Sequence, residues 1–450
     1  MKKVIITSLL LIVWSTFNSC EKFLDINPST SLASSLALDN LVGIEAAING
    51  AYTHLHSDWV ERQWIFSACL SSAAKEVNPL SNSNYQDALN HQAYTDMVGS
   101  GNYLWKLSFR ALHLANQVIQ AIPEIAETDA LVIKEKERLL GEAHYLRGLI
   151  YFVLNRFWGQ PQNGLSVPIL LAPITVVDKP ARNTIEEVKA LVIADLKRAE
   201  TLMTEVTQNK NRATIWVVKA MLARVYLEYE QYEQARDIAD DVISNGSFAL
   251  INTDVRLGYK KTLSSENVFS FLSASNDLAA LNLYQRYTIT ANNLAQLGPS
   301  NDMWDFVSSD PADQRFRRLF IENAGRRACR KFDERLMHLP YLRLPELYLI
   351  RAEARARTGN LEGALEDLNL LRQRAKVADQ SYADQQDLLN KIYDERKLEL
   401  SFEGDLLHLN KRWKKPVGGY PHEEAIYKLV FFIPQNEVNS NQNMIQNDIW

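Results

Sequence analysis

From Asp39 onward, apolar residues return three and four positions apart, as at Leu41, Ile44, Ala47 and Ile48. That spacing puts them on one face of a helix. The same period runs through Leu104 to Ile122, Ile133 to Phe157, Ile185 to Met203, Thr214 to Ile243, Glu346 to Ala356, Leu361 to Ala375 and Asp387 to Phe402. These stretches predict a mostly α fold. Between Ser244 and Asp302 the period weakens, and two short runs, Val268 to Leu272 and Leu429 to Ile433 ahead of Pro434, read as strands.

Two of the helical stretches share a plan. Leu222 to Tyr226, a turn at Tyr229 to Tyr232, then Ala235 and Ala239 match Ala352, a turn at Gly359-Asn360, then Leu361, Ala364 and Leu368. Small residues at these places let antiparallel helices approach closely, as in tetratricopeptide repeats. The two units stand too far apart in the chain for a tandem array. The predicted architecture is therefore a tetratricopeptide-like helix-pair scaffold with long irregular insertions and a few short strands, the insertions being where binding sites are usually built.

The first twenty residues follow a different rule. Lys2 and Lys3 precede an apolar stretch, Val4 to Trp14, too short to span a bilayer, and Ser19-Cys20 follow at cleavage distance. This pattern predicts a signal segment over 1–19 and Cys20 as the lipidated first residue of a bacterial lipoprotein, although Phe17 stands where an aliphatic residue is usual. Residues 20–38, with Pro28 and several serines, read as an extended tether. The remainder, 39–450, reads as a single α domain with an N-terminal part of about 39–245 and a C-terminal part of about 246–450. With 49 basic against 54 acidic residues the formal charge is −5, which argues against a nucleic-acid binder. Cys69 and Cys329 have no metal-ligand spacing and are expected as buried free thiols, with a disulfide between them as the alternative in an exported chain.

The search for enzyme chemistry returns little. The chain has no nucleophile elbow, phosphate loop or dinucleotide fingerprint, and nothing in it calls for a cofactor. His422-Glu423-Glu424 lacks a second histidine at position 426, where Ile stands, so no metal site is expected. Glu395, Glu399 and Glu403 form a row at four-residue spacing, read as a salt-bridged surface rather than a glycosidase pair. The basic run from Arg315 to Arg335 interleaves with Asp313, Glu322, Asp333 and Glu334 and reads as a solvated, self-paired surface. What remains is aromatic side chains in the insertions. Tyr85 and Tyr94 stand in a polar loop, and Tyr284, Tyr287 and Trp304 stand near Asn282, Asn292, Asn293 and Asn301. Rings beside amides suit sugars, whose C–H faces pack on the ring while hydroxyls bond the amides. These five aromatics are the candidate ligand-binding residues.

Taken in order, several blocks resemble the SusD/RagB family of outer-membrane lipoproteins from Bacteroidetes. Cys20 to Pro28 is similar to its C-x-x-F-L-D-x-x-P start, and Gly141 to Gly148 with Phe157-Trp158-Gly159 and Val167-Pro168 to a helix and its exit. Arg343 to Ala354 with Leu368-Asn369, the block Glu395 to Gly404, and Ile433 to Glu437 with Gln446-Asn447 resemble its C-terminal blocks. After Gly404 the family places an Arg and an Asp where Leu406 and Leu409 stand. The resemblance implies a non-enzymatic, lipid-anchored cell-surface protein that captures a nutrient, in the first place a glycan. It would act as the lid of a SusC-like TonB-dependent outer-membrane barrel. Capture of peptides or glycopeptides in the same role, and a surface glycosidase, are the alternatives.

Overall fold

A computed structural model describes residues 38–56, 58–78, 85–91, 100–126, 128–172, 179–204, 209–273, 278–289 and 295–448. The predicted signal segment, Cys20 and the tether up to residue 37 lie outside the described residues.

Among the described residues ten longer helices carry the fold: α1 (Leu41–His56), α2 (Asp58–Leu70), α3 (Ser100–Ala121), α4 (Ala130–Trp158), α5 (Ile185–Leu202), α6 (Ile215–Glu228), α7 (Tyr232–Asn245), α8 (Leu344–Arg357), α9 (Leu361–Arg374) and α10 (Gln385–Glu399). Local chemistry sets several starts. The Asp129 side chain accepts from the amides of Leu131 and Val132 ahead of α4, and Thr184 and Glu187 form a reciprocal capping box ahead of α5. Along the chain α3 packs on α1 and α4, α4 on α5, α5 on α6, α6 on α7, and α8 on both α9 and α10. Each pair buries the small and apolar stripe that the helical period predicts. Most of these side chains belong to one buried cluster that runs from Ile44 to Met444, with smaller clusters beneath α8, α9 and α10.

The two repeat-like units are α6–α7 and α8–α9, and their turns superpose in chemistry. In the first, the Gln231 amide donates to Tyr226 O at 2.8 Å across Glu230, whose φ is 59°. In the second, the Asn360 amide donates to Arg355 O at 2.9 Å across Gly359, whose φ is 90°. Both are left-handed helix ends closed by a six-to-one bond. The two units are far apart in the chain, yet α7 packs directly against α8. The reason lies in the intervening insertion, which leaves and re-enters the helical stack through paired strands. β2 (Asn267–Phe271) and β6 (Leu339–Arg343) run antiparallel, with Asn267 opposite Arg343 and Phe271 opposite Leu339. Every residue of both strands is buried, so the ribbon sits inside the core, where Phe269 and Phe271 meet Tyr341 edge to face.

The strand expected at Leu429 to Ile433 does not form. This segment has no strand neighbour; side chains satisfy its carbonyls instead. Trp158 Nε1 donates to Phe432 O at 2.9 Å, Asn447 Nδ2 to Phe431 O at 2.8 Å, and Gln446 Nε2 to Ile433 O at 2.9 Å. Among the described residues no helix is long and apolar enough to cross a membrane.

Candidate functional site

The two irregular regions singled out by their aromatics meet at a second strand pair. β1 (Ala74–Glu76) lies antiparallel to β3 (Leu297–Pro299), with Lys75 opposite Gly298. The ladder extends past its ends, since the Val77 amide donates to Gln296 O and the Ser300 amide to Ala73 O, both at 2.8 Å. Side chains reinforce it: Asn78 Nδ2 donates to Ala295 O at 2.9 Å and Lys75 Nζ to Asn301 Oδ1 at 2.7 Å. A third segment closes on this seam. β4 (Phe320–Asn323) and β5 (Arg326–Cys329) form a hairpin, and a Cβ at Gly298 would fall 2.1 Å from Arg327 O and 2.7 Å from Val77 Cγ2. Glycine is therefore required there by close backbone approach.

Around this seam the predicted residues separate into two groups. Tyr85 is 2% exposed and packs edge to face on Phe66; Tyr287 is 0% exposed and packs on Phe332 and Phe402. Neither ring has a face to offer a sugar, because neighbouring elements cover both sides; these two expectations are corrected to core residues. Tyr284 is half-buried on the helix Leu278–Tyr287. Trp304 stands on a short helix that follows β3 directly and whose first turn is capped by Ser300. It is 8% exposed, with Phe316 on one side at 5.5 Å and the Arg327 guanidinium 4.7 Å over its ring. Tyr94, Asn292 and Asn293 lie outside the described residues.

Sequence reasoning missed the charged and amide groups that frame the seam. Arg286 stacks 4.7 Å over the Tyr85 ring and donates to Gln296 Oε1 at 3.0 Å and to Glu61 Oε1 at 3.3 Å. Asn282 Nδ2 donates to Glu61 Oε2 at 3.0 Å. No local signal marks Glu61, Arg286 or Arg327, since their partners come from distant segments. The seam thus offers one half-exposed ring, one nearly covered ring, amides and cations.

The carboxylate row has a structural part, but it is not a surface. Glu395, Glu399 and Glu403 are all nearly fully buried. Arg315 binds Glu395 and, at 3.4 Å, Glu399; Arg343 reaches Glu399 at 3.1 Å and Glu403 at 2.8 Å; Arg374 reaches Glu399 at 3.2 Å. Lys331 Nζ donates to Glu403 at 2.6 Å. Burial raises the Glu399 carboxyl, but Arg374, Arg343 and Arg315 outweigh it and hold the group well below the usual carboxylate range. A carboxylate so held cannot deliver a proton to a glycosidic oxygen near neutral pH. The basic run likewise divides: Arg315 is 1% exposed and Lys331 0%, so these two belong to this buried network and not to a solvated face. Leu406 and Leu409, where the resemblance places polar residues, are buried and join the apolar core.

Cys69 and Cys329 are buried and unpaired, and burial pushes both thiols up to about 12. Among the described residues no group of three or more His, Cys, Asp or Glu side chains is placed to hold a metal ion.

Comparison with known proteins bears on both halves of the chain. A family model described as starch-binding associating with outer membrane matches residues 22–227, and the SusD family model matches residues 327–426. The SusD-like protein P25 of Formosa agariphila is 20% identical over 87% of this chain and 86% of its own length. A SusD-like protein of Bacteroides ovatus is 26% identical over 60% of this chain, which spans half of that relative. Among solved structures, a SusD superfamily protein from Bacteroides thetaiotaomicron superposes with a TM-score of 0.79 at 24% identity, covering 91% of this chain and 100% of its own. A putative sugar binding protein from Bacteroides vulgatus superposes with a TM-score of 0.81 at 23% identity, covering 90% and 98%. The solved structures show a shared fold over nine tenths of the chain, and with SusD-type family models matching residues 22–227 and 327–426, about two thirds of its length between them, the chain belongs to the SusD/RagB family.

Proposed function

We propose that this chain is a non-enzymatic binding lipoprotein of the outer-membrane surface, anchored through Cys20. In this reading it captures a glycan or oligosaccharide and passes it, as a lid, to a SusC-like TonB-dependent barrel. The observation that carries the reading is the β1–β3 seam, where two insertions more than 200 residues apart are joined by backbone pairing. Tyr284 is half-buried on the helix Leu278–Tyr287, which also carries Asn282 and Arg286, and Asn301 accepts from Lys75 of β1; Trp304 lies under Arg327 with little of its ring uncovered. Ring faces beside amides match the alternation of C–H and hydroxyl faces on a sugar. The sugar-binding description of the Bacteroides vulgatus neighbour points the same way. Ion pairing of Glu395, Glu399 and Glu403 removes the motive for a glycosidase.

Calorimetry over a glycan panel tests the reading. At least one glycan is expected to bind, and Tyr284→Ala is expected to weaken it about tenfold, the scale of one lost ring contact of ~1.5 kcal/mol. Binding of peptides and of no glycan would move the ligand to the peptide class. Mild detergent extraction is expected to recover a large β-barrel protein with the chain, and recovery of the chain alone counts against the lid role.

A further inference from the structure

A second groove, of about 1060 Å³, shares no lining residue with the seam and lies between α3 and the C-terminal segment. Lys106, Arg110 and His113 line it four and then three positions apart on α3, which sets them in one row along the helix. Lys106 and Arg110 are exposed, and neither is paired with a carboxylate among the described residues. Like charges four apart on a helix repel each other, so this row gains from a bound anion. His54 of α1 lines the same groove, and burial and then the Arg110 cation hold its pKa down, as expected where a cation lacks a counter-charge. Lys179 adds a further cation; its Nζ donates to Ser440 O, and Asn441 Nδ2 donates to Pro180 O at 2.7 Å, which ties that wall to the C-terminal segment. Among the described residues Glu437 is the one acid in the lining. On a chain of net charge −5 this is a local reversal of sign.

The cations adjoin an apolar surface. Phe109 is half-buried and its ring is backed by Trp105, 4.6 Å away, while Pro168 and Leu170 line the groove as well. Size and charge together select the class of ligand. The volume is that of a large small-molecule site, whose range is roughly 300–1000 Å³. The core of a protein–protein interface is depleted of charge, whereas here unpaired cations stand next to the ring. Lys106 to His113 covers about 10 Å of helix, a length that suits a short oligomer with repeated charges better than one small anion. We propose that this groove binds an anionic oligosaccharide whose sugars carry carboxylate or sulfate groups, with those groups on Lys106 and Arg110 and a C–H face on Phe109. That the ligand is a sugar rests on the function proposed above; that it is anionic rests on the groove's own charges. Attraction of this kind speeds capture and is screened by salt.

Calorimetry at low salt tests it on the full chain without its predicted signal segment and carrying Cys20→Ser. The probes are maltoheptaose, sulfated maltoheptaose, an oligogalacturonate of similar length and oligoglutamate. At least one of the two charged sugars is expected to bind about tenfold tighter than maltoheptaose and oligoglutamate, and which one does so tells sulfate from carboxylate. Lys106→Glu/Arg110→Glu is expected to weaken that binding about tenfold, the scale of two exposed ion pairs. Arg110→Lys keeps the charge and is expected to retain it, Phe109→Ala to weaken it, and Tyr284→Ala to leave it unchanged. Charged sugars that bind no better than maltoheptaose overturn the proposal. So does binding that ignores either Lys106→Glu/Arg110→Glu or Phe109→Ala in variants whose thermal melts match the parent. Oligoglutamate bound as tightly as the charged sugars assigns the groove to an acidic protein segment and also overturns it. The two sites fail separately: binding lost with Lys106→Glu/Arg110→Glu and kept with Tyr284→Ala supports the groove whatever the seam holds, and the reverse pattern refutes the groove alone.

Discussion

Replacing Glu399 by Gln probes whether the buried ion network is as deep as its geometry indicates. Glu399 is 2% exposed and accepts from Arg343 at 3.1 Å, Arg374 at 3.2 Å and Arg315 at 3.4 Å. Removing one partner of a buried pair costs about 3–5 kcal/mol because it strands the opposite charge. Here each arginine keeps another carboxylate. Arg343 still holds Glu403 at 2.8 Å, Arg374 holds Glu266 at 2.6 Å, and Arg315 holds Asp313 at 2.7 Å. The loss should therefore fall at the low end, about 3 kcal/mol, read as a drop in the urea midpoint followed by circular dichroism and tryptophan fluorescence. The sign with pH is also determined. The folded carboxyl sits below its unfolded value, so its contribution is complete above the unfolded pKa of about 4.3 and fades as pH falls toward the folded value. Gln does not titrate, so the gap between parent and variant should stay level from about pH 5 to 7 and narrow below about pH 4.3. A loss under about 1 kcal/mol, the size of an exposed pair, refutes the argument, as does a gap that widens on acidification.

Three further outcomes follow from the backbone and its caps. Exposed Glu230 holds a left-handed φ that Gly359 holds in the matching turn, so Glu230→Gly should stabilise the chain by about 1 kcal/mol and Gly359→Ala should destabilise it by a similar amount. Thermal melts of the two variants should move in opposite directions. Gly298→Ala forces a methyl onto Arg327 O, and a backbone neighbour cannot rotate away; a loss of about 1–3 kcal/mol is expected, together with a larger fall in glycan affinity than Glu230→Gly produces. Unchanged stability and affinity would show that the seam has room. Asn447→Ala removes bonds to Phe431 O at 2.8 Å and Trp158 O at 3.0 Å, and should cost about 2 kcal/mol in denaturant titration.

Much of the scaffold is legible in the sequence. The helical period over Ile133 to Phe157 and Ile185 to Met203 matches α4 and α5 to within a few residues at each end, and Val268 to Leu272 matches β2 shifted by one. The paired turns at Glu230 and Gly359 are visible as well, because a left-handed helix end is a local demand. The site is less legible. Tyr85 and Tyr287 have the same chemistry as Tyr284, and nothing near them in sequence says that Phe66, Phe332 and Phe402 will cover their rings.

The sequence by itself determined most of the longer helices and roughly where they stop, because these depend on residues a few positions apart; it passed over α2 and the helix Leu278–Tyr287, whose apolar residues do not stand out as a periodic stripe. Only the tertiary structure decided that β1 meets β3, that α7 stacks on α8 across a long insertion, and that the Glu395 to Glu403 row lies inside the protein. Each of these joins groups scores to hundreds of residues apart, so the burial of any one depends on what the rest of the chain packs against it. A short apolar run such as Leu429 to Ile433 shows the same limit: its composition asked for a strand, and the amides of Gln446 and Asn447 took the carbonyls that a strand partner would have used.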